Sequence, residues 1–495
     1  MLGQLTMSTE GIYGLPLYVS ASMVFLFVLF GAMLEKSGGG HYFVQLAFSL
    51  LGRFRGGPAK AAILASGMTG LVSGSSIANT VTTGTFTIPL MKRCGYPPEK
   101  AAAVEVAAST NGQLMPPIMG AAAFLIAERC NIPYLQVVRA AIIPAFVSYL
   151  ALIFISHIEA SKLGLRGLPK RDLPEFGKVF VSGVHFLIPL VLLLTLLLLR
   201  FSPELSAFWA IVVLMALIVI RELLAAPLHG LGYKVALGRA LHMIWDSLVA
   251  GGRSMMGIGV AVATAGIIVG VITLGPGSLV TEVIGRMAGG SLPLILIFTA
   301  LMSLVLGMGL PTTANYIVIS TVTAPAILVL AGEAGLAMPL IAAHLFCFFF
   351  GILADDTPPV GLAAYAASAI AKSDPIKTGI QGFIYDMRTA LLPFMFVFNT
   401  DLLLINVHTV WHGIGIFITA LVAMFAFASL TQNYFMDRNR IHEAIMLAIV
   451  TIILLRPELL PRYLGSSGKM LSYIVGYGLY AGVCVLQFPR RRKDF

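Results

Sequence analysis

Long apolar runs follow one another along almost the whole chain, separated or interrupted by short stretches that are polar and rich in glycine or proline. Residues 13–34 form a first run of about the twenty residues that a helix needs to cross a hydrocarbon core. A basic, glycine-rich connection follows over 36–60, and within it 41–51 predicts a short amphipathic or interfacial helix. The run 61–91 is different, because its midpoint is the polar turn Gly74-Ser75-Ser76-Ile77-Ala78-Asn79. Each leg has only about fifteen residues, too few to span, so the segment predicts a re-entrant hairpin with the turn at its tip. Residues 101–127 are long enough to cross but are interrupted by Asn111-Gly112-Gln113-Leu114-Met115-Pro116-Pro117. Pro116 and Pro117 withdraw two amide donors and break the helix, freeing the carbonyls just before them.

The plan then recurs. After spans at 137–157, 184–199 and 206–220, an amphipathic linker over 221–246 leads to a span at 247–274 and a glycine-rich arm at 275–290. A second hairpin is predicted over 292–330, with Gly309-Leu310-Pro311-Thr312-Thr313-Ala314-Asn315 at its tip. A second broken span, 338–370, is interrupted by Ala354-Asp355-Asp356-Thr357-Pro358-Pro359. Shifting the first tip by 236 positions places Ala78 on Ala314 and Asn79 on Asn315. The chain therefore divides into a first repeat over 1–220, the linker 221–246, a second repeat over 247–405, and further spans over 406–495 beginning near His412, Glu443 and Leu471.

Composition changes the picture by fixing the solvent. Hydrophobic residues make up 58% of the 495, charged residues 11%, and the mean hydropathy is +0.92. These values identify an all-α polytopic membrane protein whose surroundings are a lipid bilayer. The net charge of +10 does not indicate nucleic acid, because the basic residues sit in loops between spans. With the C-terminal Arg490-Arg491-Arg492-Lys493 placed in the cytoplasm, the loops at 53–60, 92–100, 162–178, 221–239, 372–388 and 438–440 fall on the same side. About 24 of the 32 Lys and Arg residues then lie inside, as the positive-inside rule requires. The two hairpins enter from opposite faces in this topology of about eleven crossings, so the halves are inverted repeats with a site expected near the midplane.

The tips and breaks carry the candidate chemistry. The first tip offers Ser75 and Ser76 hydroxyls and the Asn79 amide, faced by carbonyls near Thr110 and Gly112. The second offers Gly309, Thr312, Thr313 and Asn315, faced by Asp355 and Asp356. Such hard oxygen donors suit two quasi-symmetric sodium sites. Helix N-termini after each tip direct positive dipole ends at the same region, which makes Ala78, Asn79, Ala314, Asn315 and Thr357 candidate contacts for a substrate carboxylate. Taken singly, Ser75 or Thr313 fits close helix packing equally well; it is repetition of the whole turn that favours a site. Proton coupling through Asp355 or Asp356 is the alternative to sodium. Glu105 and His344 read as satisfied core groups, Arg253 as a side chain reaching for the interface, and Cys94, Cys130, Cys347 and Cys484 as inert. No nucleophile-and-base motif, His-Glu-x-x-His zinc motif, phosphate-binding loop or cleavable signal peptide is evident, and the chain does not read as an enzyme. A continuous polar path, which a channel requires, is also missing.

Residues 73–120, the stretch 306–315 continuing through 354–367, and 377–399 resemble the large membrane subunit of tripartite ATP-independent periplasmic (TRAP) transporters, with the nearest likeness to TAXI-type fused permeases. The resemblance implies an elevator-type secondary importer in a bacterial or archaeal inner membrane. A TAXI-type periplasmic binding protein delivers an organic acid, and ions bound at Ser75, Ser76, Asn79 and Gly112, and at Gly309, Thr312 and Asn315 with Asp355 or Asp356, drive its carriage. Fused permeases carry further N-terminal spans before the segment matching Tyr13, so the resemblance also implies a separate small membrane subunit or a truncated chain.

Overall fold

The computed structural model describes residues 2–491 apart from 228, 229, 231 and 465–468, so Arg492, Lys493 and part of the expected linker lie outside the described residues. Among the described residues the secondary structure is helical, with one isolated bridge between Tyr434 and Arg438. Among the described residues, eight helical segments are long and apolar enough to cross a membrane.

Both hairpins form. The legs of the first are Gly57–Ser73 and Ser76–Arg93, and those of the second are Leu292–Gly307 and Thr312–Glu333. The first broken helix comprises Pro98–Gly112 and Ala122–Cys130, the second Leu340–Leu353 and Leu362–Ala371. Each break contains its Pro-Pro pair, with a cis bond at Pro116-Pro117 and at Pro358-Pro359.

The halves of the broken helices are shared crosswise. The first hairpin packs on Pro98–Gly112 and on Leu362–Ala371, whereas the second packs on Leu340–Leu353 and on Ala122–Cys130. Each hairpin thus rests on the leading half of its own broken helix and the trailing half of the other. Tyr134–Lys162 and Pro375–Phe398 close around these elements. Outside them, residues 15–36, which include one π-helical turn at Ser20–Val24, pack on the long helix Tyr233–Ile272 and on Pro203–Ala225.

Side-chain size decides how closely the core elements approach. Pro98–Gly112 buries five alanines and brings Gly112 against the first hairpin, where a Cβ built on Gly70 would lie 2.6 Å from the Gly112 Cα. Small residues at such crossings let backbones meet closely. The corresponding helix of the second half, Leu340–Leu353, fills its space with four phenylalanines instead, at positions 346 and 348–350.

Three expectations change. Residues 221–246 and 247–274 are not separate elements, because Tyr233–Ile272 runs as one helix through Asp246 with no proline to stop it. The span expected at 184–199 begins earlier than its bounds: Leu187–Leu198 is entered through Phe176–Gly183 and a 3-10 turn, and Lys170–Leu198 together is one of the eight candidate spans. The basic loop expected at 372–388 is helical from Pro375, and Arg388 is only 1% exposed, so it belongs to the core and not to the count of loop charges.

The Gly70 contact yields a stability test. Gly70→Ala forces its Cβ onto backbone and is expected to destabilise the purified protein by about 1–3 kcal/mol. Gly238→Ala, whose Cβ meets nothing within 4 Å, is expected to hold or raise the melting temperature. Equal melting curves for the two variants would contradict the close crossing.

Candidate functional site

Glycines make the tips possible. Gly74 (φ 62°) and Gly309 (φ 79°) sit in the left-handed region and end the first leg of each hairpin. The return legs start differently. Ser75 is extended and its hydroxyl accepts from the Ala78 amide at 3.4 Å, whereas Pro311 leads directly into Thr312. Each start leaves helix N–H groups unpaired inside the bundle.

The two tips meet on one carboxylate. Ser76 Oγ donates to Asp355 Oδ2 at 2.6 Å, Thr312 Oγ1 donates to the same oxygen at 3.0 Å, and Gln113 Nε2 approaches it at 3.5 Å. Thr312 is Ser76 moved by 236 positions, and Asp355 is Gln113 moved by 242, the shift that superposes the Pro-Pro pairs. Four equivalent residues, two from tips and two from breaks, therefore converge, and one of them carries a charge. Hydrogen bonds to an ionised acceptor are roughly twice as strong as neutral ones, which makes this a firm link between the halves.

Behind the junction the asparagines repeat a second arrangement. Asn79 Nδ2 donates to Ser66 O and Ser66 Oγ, both at 2.9 Å, and Asn315 Nδ2 donates to Gly351 O at 2.6 Å. Backbone carbonyls only accept, so both amides are fixed with Oδ1 on the far side. Neither Asn79 Oδ1 nor Asn315 Oδ1 has a partner, although both residues are buried, and buried Thr110 Oγ1 lacks one too. Gly70 and Gly112 crowd Asn79 as Gly307 and Gly351 crowd Asn315. Orphaned oxygen acceptors in equivalent places fit a small cation.

An open cavity of about 80 Å³ lies where the tips face the outer helices. Ser75, Ser76, Thr312, Thr313 and Asp355 line its inner wall, and Val24, Phe27 and Ile258 its outer wall. Ser75–Ile77, Pro311–Thr313 and Gly120–Ala121 bring three helix N-termini to this space, a partial positive charge that favours an anion. Asp355 is the charged group among the lining residues.

The remaining sequence candidates fall elsewhere. Ala78, Asn79, Ala314, Asn315 and Thr357 do not line the cavity; Thr357 Oγ1 donates to Leu353 O at 2.5 Å. Gly309 and Gly112 shape backbone. Asp356, fully buried, faces Asp386 and Arg388. Asp386 Oδ1 accepts from Asn111 Nδ2 and Arg388 Nη1, each at 2.6 Å, while Ser148 and Thr389 donate to Asn111 Oδ1. Gln113 and this Asn111–Asp386–Arg388 group escape a reading by motif, and combining the two repeat shifts is the signal that would have found Gln113. Arg253 is exposed, and His344 Nδ1 lies 2.8 Å from the Tyr316 hydroxyl.

Residues 2–411 match the family described as tripartite ATP-independent periplasmic transporter, DctM component, and residues 413–472 match a domain of unknown function, DUF3394. The chain is similar to the 2,3-diketo-L-gulonate TRAP transporter large permease protein YiaN of Escherichia coli, with 24% identity over 380 residues, 75% of this chain and 83% of that one. It shares 31% identity over 150 residues with the C4-dicarboxylate TRAP transporter large permease protein DctM of Pseudomonas aeruginosa, 30% of this chain and 35% of that one. It shares 27% identity over 169 residues with the isethionate TRAP transporter permease protein DctMQ of Oleidesulfovibrio alaskensis, 34% of this chain and 26% of that one.

Convergence on Asp355 predicts that the tips are energetically coupled. In a double-mutant cycle of Ser76→Ala and Thr312→Ala, the unfolding free energies are expected to depart from additivity by about 0.5–3 kcal/mol. Strict additivity would mean that the tips do not share the carboxylate.

Proposed function

The chain belongs to the DctM component family of tripartite ATP-independent periplasmic transporters, and on that footing we propose that it imports an organic acid through an inverted-repeat elevator driven by sodium. The observation that carries this reading is the meeting of Ser76 and Thr312 on Asp355 at the wall of the cavity. Substrate bound there touches both tips at once, and its carboxylate faces three helix N-termini together with one fixed negative charge. That charge opposes an anion until a cation offsets it. Sodium ions held by Asn79 Oδ1 with Thr110 and Gly112, and by Asn315 Oδ1 with the carbonyls before Asp355, supply positive charge beside the junction. Cation and anion then favour each other's binding, the free-energy coupling that symport requires.

The elevator component is supported by the division between the crosswise-packed hairpins with their broken helices and the outer helices against which the cavity opens. The partners proposed are a periplasmic binding protein of the TAXI type, on the sequence resemblance, and a small membrane subunit. The location proposed is the inner membrane with the C-terminus cytoplasmic. Proton coupling is the second reading, favoured by the buried Asp356 carboxyl that faces Asp386.

The test is uptake by proteoliposomes holding the chain, its binding protein and its small subunit, under an imposed sodium or proton gradient. Sodium alone is expected to drive accumulation of a candidate organic acid. Asn79→Ala and Asn315→Ala are each expected to insert normally and to lower coupled uptake at least tenfold, roughly 1.4 kcal/mol in ion affinity. Wild-type uptake by both variants sinks the ion sites; uptake driven by protons alone transfers the coupling to the aspartates.

A further inference from the structure

Pro98–Gly112 presents to the first hairpin a buried carboxyl that its counterpart Leu340–Leu353 lacks. Glu105, 0% exposed, accepts at Oε1 from Thr83 Oγ1 and, at 3.4 Å, from Ser109 Oγ, and at Oε2 from Thr87 Oγ1 at 2.5 Å. Among the described residues it has hydroxyl partners and no ion pair. The 242-residue shift places Cys347 at its position in the second half, where Thr323 Oγ1 lies 3.1 Å from the thiol sulfur. An ionised carboxylate at this depth without a cation is costly.

Counting protons gives an independent reason for neutrality. Thr83 Oγ1 is also 2.8 Å from Asn79 O, Thr87 Oγ1 is 3.0 Å from Thr83 O, and Ser66 Oγ is 3.0 Å from Ser109 Oγ. These make six oxygen-to-oxygen contacts among four hydroxyls, two carbonyls and one carboxyl. Four hydroxyls bring four protons, and carbonyls and carboxylates bring none. A proton on Glu105 fills a fifth contact by donating to a threonine, whose own proton then reaches the helix carbonyl. Ser109 spends its one proton on Glu105 Oε1, so in its contact with Ser66 it accepts, and Ser66 Oγ in turn accepts from Asn79 Nδ2. From the neighbouring helix, Tyr149 faces this group, and its hydroxyl is already committed to Ala108 O at 2.8 Å.

We propose that Glu105 is held as a neutral carboxylic acid and is the positioning residue of the cation site at Asn79: its Oε1 ends the relay that runs from Asn79 through Ser66 and Ser109 and turns the Asn79 amide with Oδ1 free, while its proton serves a threonine. The inference rests on the cation-site reading above. The proton is structural: it stays in place through the transport cycle and is not the coupling ion.

The test has two arms on the purified full chain. Infrared spectroscopy with isotope-labelled glutamate is expected to show a protonated-carboxyl band at neutral pH, unchanged by sodium and missing from Glu105→Gln. Absence of that band in the wild type overturns the neutral acid whether or not any variant folds. In the second arm, sodium-induced thermal stabilisation is titrated against choline. Glu105→Gln, which keeps one donor and one acceptor, is expected to stay within about threefold of the wild-type half-saturation, whereas Glu105→Ala raises it about tenfold. A glutamine variant as impaired as alanine overturns the protonation state, and an alanine variant equal to wild type overturns the positioning role. No sodium shift in the wild type defeats the cation reading and the positioning role with it, while the band still decides the proton.

Discussion

Backbone that leaves its helix inside a bilayer has no water to turn to, and this chain does so four times. Two hairpin tips and two Pro-Pro breaks are the price of building a polar site in a greasy bundle. They are placed so that they satisfy one another: hydroxyls at the helix starts, a carboxylate at one break and an amide at the other meet at Asp355. The crosswise packing follows from the same constraint. A tip resting only on its own broken helix would leave the other break facing lipid, whereas exchange of the trailing halves covers both.

The junction is symmetric in position and asymmetric in charge. Gln113 and Asp355 occupy equivalent places, yet one is an amide and the other a carboxylate. Two aspartates meeting there would repel at short range, and two amides would give the hydroxyls of Ser76 and Thr312 a weaker acceptor. A single charge holds both tips and still leaves an electrostatic difference that a bound ion can offset. The same economy governs the helix behind the first hairpin, where one carboxyl, Glu105, organises hydroxyls; at the equivalent place in the second half Cys347 stands in for it, beside Thr323.

Much of this architecture is legible in the sequence, because glycine, proline and short hydroxyl-rich turns announce where apolar helices must stop. The hairpin tips at Gly74 and Gly309 and the breaks before Pro117 and Pro359 fall where steric rules put them. Partnership across the repeats is not legible: equivalence by shift tells which residues correspond, not which ones touch, so Ser76 and Asp355 could be named without being joined. Gln113 was hidden because a lone glutamine beside prolines resembles any polar break. Arg388 was misplaced because counting charges assumes that each seeks water, whereas this one donates to Ser148 O at 3.0 Å and to Asp386 in the core. The continuous helix Tyr233–Ile272 was divided because hydropathy changes at Asp246 while helical propensity does not.

The exchange of half-helices also bears on how the protein is made. Residues 57–93 leave the ribosome long before residues 362–371, the segment that covers one of their faces. The first hairpin must therefore wait in the membrane, incompletely buried, while most of the remaining spans are inserted. Contacts so distant along the chain form late and slowly. Assembly of the core is thus deferred until nearly the whole second repeat has been translated, and a nascent chain stalled between the repeats would expose its serine- and asparagine-rich turn to lipid, a natural mark for membrane quality control.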